Sequence, residues 1–475
     1  MTGPKGSLTV EPIRTDVAYQ ECINADCGAR FDVGEPLFEC PRCGDLLDVR
    51  YDWDRAVLPR RLEDFEEKWS VPGDPLTFSG VWQYHELLPF APPQHVVTVG
   101  EGKTVFQQAD RVAPYARMNR GRLFLQYEGM NPSGSFKDNG MTAAFTHARL
   151  VGATRAVCAS TGNTSASVAM YAAVDGRIPA IVLVGSGRIA YGKLAQALDY
   201  GVRMVEVQGD FDTCMRRVKQ VASELGIYLM NSLNPFRLEG QKTIMYRVIE
   251  GLLWDVPDWL VVPGGNLGNS SAFGKAFKEL HEAGLIRRMP RLAVIVADGA
   301  DTLYRIVNEE RLAWNGGRVD DDRIAAFYKQ MDREGRRART VASAIEINRP
   351  VNLKKCLRSL EWTGGLVEKV SDQEILDAKA HIGAGGFGCE PASAATVAGV
   401  RKLRQAGTIG PDERVACVLT GHPLKDPNIT VAYHTMDEQA IGEKYADYSF
   451  YAAPHANRPI PVEDDLDKII HAIQS

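Results

Sequence analysis

At 475 residues with ordinary hydrophobic and charged fractions, the chain has the length of about three domains and enough apolar content for a large core, which excludes disordered and fibrous classes. A formal net charge of −5 leaves no basic footprint for nucleic acid or an anionic membrane, and no run approaches the roughly 18 apolar residues of a spanning helix. Nine scattered cysteines do not make a disulfide framework, and the N-terminus lacks an apolar signal core, so a reducing cytoplasm is the expected setting.

Residues 1–20 read as a loosely attached lead. Cys22 and Cys27 then precede a hairpin-length segment ending in Cys40 and Cys43, and each second cysteine is followed by glycine (Gly28, Gly44). Two such knuckles bring four thiolates within tetrahedral reach, the geometry Zn²⁺ favours, and leave no position open for catalysis. The expectation is an N-terminal extension, 1–80, carrying a cysteine ribbon at about 20–50 with a structural zinc. Cys158, Cys214, Cys356, Cys389 and Cys417 read instead as small buried apolar residues. A charged, aromatic-rich connection ends in a strand-like run at 96–99 and the turn Gly100-Glu101-Gly102. From 123 onward the pattern alternates strand and helix. Strands are expected at 123–127, 156–159, 180–184, 203–207, 228–230, 259–262, 292–296, 366–370 and 415–419. Helices are expected at 140–151, 165–174, 192–200, 270–283, 352–360, 372–382, 391–405 and 466–473. Such alternation implies βαβ units and an α/β fold with mainly parallel, helix-covered sheets. Residues 300–350 read as polar and irregular, with Arg333–Arg339 as a solvated surface or flap, and the tail from 428 as turn-rich.

Chemistry-bearing residues collect in the turns. Asn131-Pro132-Ser133-Gly134-Ser135-Phe136-Lys137-Asp138 holds a lysine in a tight turn directly before a helix. A lysine there is ordinarily a surface charge. Burial and the positive end of the helix can also lower its pKa and leave a free amine for Schiff-base chemistry, with Asp138 as the expected N-cap. The loop Gly264, Gly265, Asn266, Leu267, Gly268, Asn269 follows a strand and opens a helix, so its amides can converge on a phosphate. Ser160, Thr161, Asn163 and Thr164 form a second turn suited to a carboxylate, with Asn163 placed to meet a phenolic oxygen. Asn231, Ser232 and Arg237 form a donor-rich turn suited to phosphate or carboxylate. Gly185-Ser186-Gly187-Arg188-Ile189-Ala190, with Glu206 further on, carries most of a dinucleotide fingerprint and supports a second reading, an NAD-dependent oxidoreductase. Gly383–Gly388 has similar spacing but follows a helix.

Taken in chain order, VWQYHELLPF, VTVGEG, EGMNPSGSFKDNGM, CASTGNTSAS, GKLAQALDYG, NSLNPFRLEGQKT, VVPGGNLGN, ASAIEINRPVN, GCEPASAAT and LTGHPLKDP resemble the threonine synthases, pyridoxal-phosphate enzymes of fold type II. The resemblance spans residues 81–427. It implies two three-layer domains, a large one from 81–131 and 236–475 and a small one from 132–235. It implies that Lys137 bonds the cofactor and moves protons, with Phe136 near the ring. Asn163 would meet the phenolic oxygen, 264–269 would cradle the phosphate, and Thr420 would meet the ring nitrogen and leave it unprotonated. Ser160, Thr161 and Thr164 would receive the substrate carboxylate, and Asn231, Ser232 and Arg237 the leaving phosphate. The implied reaction converts O-phospho-L-homoserine and water to L-threonine and phosphate, in a homodimer. Asn139 stands where that family carries arginine, Lys103 and Val105 where it has asparagine and proline, and Pro423 where it has glycine. These departures bear on substrate choice. They leave open a β-replacement on O-phosphoserine, as in a cysteate synthase, or a hydroxy-amino-acid dehydratase. Nothing in the chain assigns an S-adenosylmethionine site.

Overall fold

Strands buried on both faces need apolar residues at every position, and the chain carries two sets of them. A computed structural model describes residues 15–70, 74–185, 191–209 and 211–474. Strands β1 (Ala18–Cys22), β2 (Arg30–Asp32) and β3 (Leu47–Tyr51) form a small antiparallel sheet in the order β2-β1-β3. β4 (Val105–Gln108) and β5 (Leu123–Tyr127) start a larger sheet. β6 (Ala156–Ala159), β7 (Ala180–Gly185), β8 (Arg203–Val207) and β9 (Tyr228–Leu229) form a parallel sheet of their own, ordered β8-β7-β6-β9. β10 (Trp259–Pro263), β11 (Arg291–Ala297), β12 (Leu366–Val370) and β13 (Val415–Leu419) complete the large sheet, ordered β12-β11-β10-β13-β5-β4. Within it the β4–β5 pair is antiparallel and the other pairs are parallel.

The period-two alternation of a strand divides each sheet between two apolar layers. In β10, Leu260 and Val262 join one core, with the helices Pro235–Gly251, Gly268–Glu282 and Leu353–Thr363. Trp259 and Val261 join the other, with Asp372–Ala384 and Pro391–Gln405. The small sheet splits likewise. Ala156 and Cys158 face Lys137–Leu150 and Asn163–Asp175, while Val157 and Ala159 face Phe211–Leu225. Both sheets are therefore the middle layer of three.

The four cysteines converge as their spacing predicts. Their sulfurs all lie within 4.8 Å of one another, and Gly28 and Gly44 take the left-handed φ of +51° and +77° that each knuckle requires. The ribbon is not a loose appendage, for it docks on three helices. The Tyr51 hydroxyl donates to Glu239 at 2.6 Å, and Asp48 pairs with Arg358 at 2.7 Å. His147 meets the Val33 carbonyl through Nε2 at 2.6 Å.

Three expectations change. Residues 96–99 are not a strand, because side chains take up the backbone groups a ladder would use. Thr146 accepts from the Val97 amide, Thr142 donates to the Val97 carbonyl, and Glu101 accepts from the Val99 amide. The polar stretch 300–350 contains a regular helix, Asp321–Arg333, which buries only Ile324, Phe327 and Met331. The tail folds into helices Pro427–Thr435 and Glu438–Lys444. Arg336 and Arg339 of the basic run pair with Asp301 and Asp447.

The cluster fits one tetrahedral zinc, and metal analysis of the purified protein should find one per chain. A structural zinc contributes roughly 10–16 kcal/mol in isolated finger peptides, so stripping it with a strong chelator should lower the melting temperature of the whole chain. A metal-free protein with unchanged melting would refute a structural role.

Candidate active site

Lys137 opens the helix Lys137–Leu150, and the turn ahead of it is fastened to the loop that follows β13. The Phe136 amide donates to the Thr420 carbonyl at 3.0 Å, and the His422 amide donates to the Gly134 carbonyl at 2.9 Å. Ser135 bridges Gly421 between them. Backbone pairing thus brings Lys137 beside Thr420. Asp138 is not the N-cap; it is the second residue of the helix, and Phe136 precedes it without a side-chain cap. Its buried carboxylate reaches back instead to the Ser133 amide and hydroxyl, at 2.7 and 2.6 Å, and to the Ser167 hydroxyl at 2.6 Å. Burial pushes the Asp138 carboxyl up to about 6.

A cavity of about 1150 Å³ lies outside the carboxyl ends of β6, β10 and β13, where open α/β sheets place their ligands. Phe136, Lys137, Ser160, Thr161, Asn163, Thr164, Asn231, Ser232, Arg237, residues 265–269 and Thr420 all line it. Gly264 does not. Its amide donates to the Ile295 carbonyl at 2.7 Å, and a Cβ there would meet Val294 and Val296 at 2.8 Å, so it seats the loop on the sheet. Lys103, Asn139 and Pro423, the departures that bore on substrate choice, are also absent from the lining.

The Lys137 ammonium lies 4.0 Å from the centroid of the Phe136 ring. Burial, helped by the charge of Arg237 and opposed by Glu390, brings the lysine down to about 7. Arg237 is 1% exposed, and only Nη1 is engaged within the protein, donating to the Met230 carbonyl at 2.8 Å. Its Nε and Nη2 have no hydrogen-bond partner among the described residues. A guanidinium cannot shed its charge at neutral pH, so a buried one with two unpaired nitrogens, in a residue that lines a cavity, is suited to an anion.

Two helix N-termini also begin on the cavity without side-chain caps. Gly268–Glu282 begins after Leu267, which holds a left-handed φ of +63° and gives no side-chain cap, so the first amides of the helix remain free for a ligand. A Cβ at Gly265 would come within 3.1 Å of the Ala344 carbonyl and of the Ile345 Cα, so any larger residue would press this loop against the 344–345 backbone. Asn163–Asp175 likewise begins without a side-chain cap, after Gly162, whose amide donates to the Ser160 hydroxyl at 3.2 Å. The Asn231 amide is held by the Ala159 backbone, donating to its carbonyl and accepting from its N–H, both at 2.9 Å.

Residues 97–421 match the family model described as pyridoxal-phosphate dependent enzyme. The threonine synthase of Methanocaldococcus jannaschii is 40% identical over 413 residues, 87% of this chain and 94% of its own length. That of Methanosarcina acetivorans is 40% identical over 415 residues, 87% of this chain and 93% of its own. The chain belongs to the threonine synthases of the pyridoxal-phosphate-dependent family. The fold agrees. The crystal structure of threonine synthase from Escherichia coli, at 16% identity, superposes with a TM-score of 0.60 over 96% of this chain and 99% of that one. The residues present fit the cofactor, since the cavity offers a depressed lysine, a glycine-lined anion cradle and free helix amides in one place.

Sequence reasoning missed Glu390. It sits before the helix Pro391–Gln405 and accepts from Asn163 Nδ2 at 2.8 Å and from the Thr420 hydroxyl at 2.8 Å. The GCEPASAAT segment was legible, but nothing in it tells that the carboxylate turns toward the cavity. The second, NAD-dependent reading loses its basis with the family match; residues 186–190 of its fingerprint lie outside the described residues.

The lysine should react as a free amine near neutrality. Attachment of added pyridoxal phosphate to the apoprotein, followed by absorbance, should accelerate with pH through a midpoint near 7. Arg237→Met removes a neighbouring positive charge and should move that midpoint upward. A midpoint at the ordinary lysine value in the unsubstituted protein would sink this assignment.

Proposed function

We propose that the chain converts O-phospho-L-homoserine and water to L-threonine and phosphate. The observation that carries this reading is Arg237, a buried guanidinium with two unpaired nitrogens on the same cavity as Lys137 and distinct from the glycine-lined cradle. One cradle serves the cofactor phosphate, and Arg237 with Asn231 and Ser232 serves a second phosphate, the one that leaves. A hydroxy-amino-acid dehydratase has no use for that second site.

Pyridoxal phosphate, when bound, supplies the carbanion stabilisation. The loop 265–269 and the helix it opens would hold its phosphate. Phe136 flanks the ring, Asn163 meets the phenolic oxygen and Thr420 the ring nitrogen. Ser160, Thr161 and Thr164, at the uncapped start of their helix, orient the substrate carboxylate. Lys137 Nζ, already poised between its two protonation states, takes the proton from the α carbon and moves protons at the β carbon. Arg237 offsets the charge on the departing phosphate and holds it clear of the β carbon, where water adds. The segment 343–348 lines the cavity on the side of the cradle and limits the entry of solvent. Residues 132–235 act as the small domain of a homodimer subunit. Among the described residues no helix is long and apolar enough to cross a membrane, in keeping with a cytoplasmic enzyme.

Phosphate release measured with O-phosphohomoserine and O-phosphoserine discriminates the candidates. Turnover of the first to threonine is expected, and release from O-phosphoserine alone would replace this reading with β-replacement. Arg237→Ala should lower kcat/KM for the phosphate ester by about 100-fold or more, roughly 3 kcal/mol, because it removes a buried charge-assisted contact. Arg237→Lys, which keeps the charge but loses the planar fork, should fall between.

A further inference from the structure

Asn352 stands at the N-cap position of Leu353–Thr363, where an asparagine ordinarily closes the helix with its side-chain oxygen, yet it gives that helix no side-chain cap. It is wholly buried and does not line the cavity. Its side-chain oxygen has no hydrogen-bond partner among the described residues, and a buried polar atom left unpaired costs stability. The nitrogen is what the position uses. Nδ2 donates to the Ser232 carbonyl at 3.0 Å and to the Asn266 carbonyl at 3.4 Å. Both partners are backbone carbonyls, which only accept, so the amide meets them with its nitrogen.

Backbone contacts complete the tie. The Asn352 N–H donates to the Asn266 carbonyl at 3.2 Å, and the Val351 N–H donates to Asn266 Oδ1 at 3.4 Å. Residues 351–352 thus hold residue 266 by its carbonyl and its side chain, and residue 232 by its carbonyl. Asn266 and Ser232 both line the cavity. Asn266 belongs to the loop after β10 of the large sheet, and Ser232 to the turn after β9 of the small one. Asn231 of that turn is fastened to Ala159 of β6, so the turn is held from the small sheet at one residue and from a helix of the large sheet at the next. The anchor is itself braced by the cysteine ribbon, since Lys354 pairs with Asp45 at 2.6 Å and Lys355 Nζ donates to the Leu47 carbonyl at 2.6 Å.

We infer that Asn352 is a positioning residue that fixes the turn 231–232 against the loop 265–269 and so sets the separation of the two phosphates, on the reading that Arg237, Asn231 and Ser232 receive the one that leaves. It acts through backbone, from outside the cavity. Removing Nδ2 leaves every cavity-lining side chain in the chain but releases the Ser232 carbonyl, and a misplacement of about 1 Å can cost about 100-fold in a site that depends on alignment.

The test is calorimetric titration of inorganic phosphate into the holoenzyme, in which the cofactor already occupies the loop 265–269 and added phosphate reports the second site. Arg237→Ala should abolish that binding. Asn352→Ala should weaken it by about 10-fold or more, with cofactor content unchanged by absorbance. Asn352→Asp, which turns a carboxylate toward two carbonyls, should weaken it further; if that variant does not fold, the alanine variant decides. Ser359→Ala is the structural control. It removes a contact between the same two helices, from Ser359 Oγ to the Ser271 carbonyl at 3.2 Å, and neither residue lines the cavity. It should lower the melting temperature and leave phosphate affinity unchanged. Unchanged affinity in Asn352→Ala, or an equal loss in Ser359→Ala, overturns the inference while the Arg237 site stands. Phosphate binding that survives Arg237→Ala, or none in the unsubstituted holoenzyme, overturns the inference and the site reading together.

Discussion

Four side chains on two helices make a closed ring of charge under the active site. Lys242 pairs with Glu239 and Glu279, both at 2.6 Å, and Lys275 pairs with the same two carboxylates at 2.5 and 2.7 Å. Glu239 and Lys242 belong to Pro235–Gly251, and Lys275 and Glu279 to Gly268–Glu282. All four are buried. Burial pushes the Glu279 carboxyl up, but Lys242 and Lys275 outweigh it and hold the group below its ordinary range. Such a ring gives little net stability against a well-packed apolar core. Removing any one member, however, strands a buried charge at a cost of about 3–5 kcal/mol. Its consequence is registry. The two helices it locks are the one that carries Arg237 in its first turn and the one that opens after the loop 265–267, so those two segments are held at a fixed separation. Tyr51 of the ribbon donates into the same ring, which makes the cysteine ribbon a structural party to that spacing.

The distribution of helix caps follows the same logic. Asp320, Asp437 and a full capping box of Ser371 with Glu374 close three helices that begin away from the cavity, Leu353–Thr363 begins away from it without a side-chain cap, and Asn234 caps Pro235–Gly251, which carries Arg237. Lys137–Leu150, Asn163–Asp175, Gly268–Glu282 and Pro391–Gln405 begin on the cavity, and none has a side-chain cap. At Asn163–Asp175 and Gly268–Glu282 the uncapped first turns therefore present the positive ends of their helices to the cavity. The cavity needs few cations because helix ends share the task. That economy matters for Lys137, since each added cation nearby would push its amine further from protonation.

How much of this the sequence disclosed depends on where the information resides. The central strands β6, β10 and β13 are apolar at successive positions, and the turns that follow them are rich in glycine, asparagine and serine, so these strands and the candidate turns could be read directly. Asp321–Arg333 escaped because three buried residues in a highly charged helix leave a faint periodic signal. Residues 96–99 misled because their β-branched composition says nothing about Thr142 and Thr146, which lie a long way down the chain and satisfy that backbone. Glu390 escaped for a related reason. A glutamate before Pro391 looks like the start of a helix, and only the approach of Gly421 turns its carboxylate toward Thr420.

Asn139 shows how a residue adjacent in sequence to the chemistry can belong to the scaffold. It lies two positions after Lys137, but on a helix that spacing points it away from the cavity and onto Glu128, to which it donates at 2.9 Å. Burial raises the Glu128 carboxyl, and neutral donors support it: Gln126, Thr104, Asn131 and Asn139. An arginine at 139 would meet Glu128 as an ion pair; this chain meets it with a set of amides and a hydroxyl. The change still reaches the lysine turn, through Asn131. That side chain donates to Glu128 at 2.7 Å and accepts from the Gly102 amide at 2.9 Å, fixing the first residue of the turn. Lys103 reaches outward to the Thr77 carbonyl, and Pro423 packs where a Cβ on Gly388 would lie 3.0 Å away. All three departures are therefore accommodated in the frame around the site. Lys137, Arg237 and the two uncapped helix starts, which line the cavity, are untouched by them, so the frame varies here without altering the cavity wall.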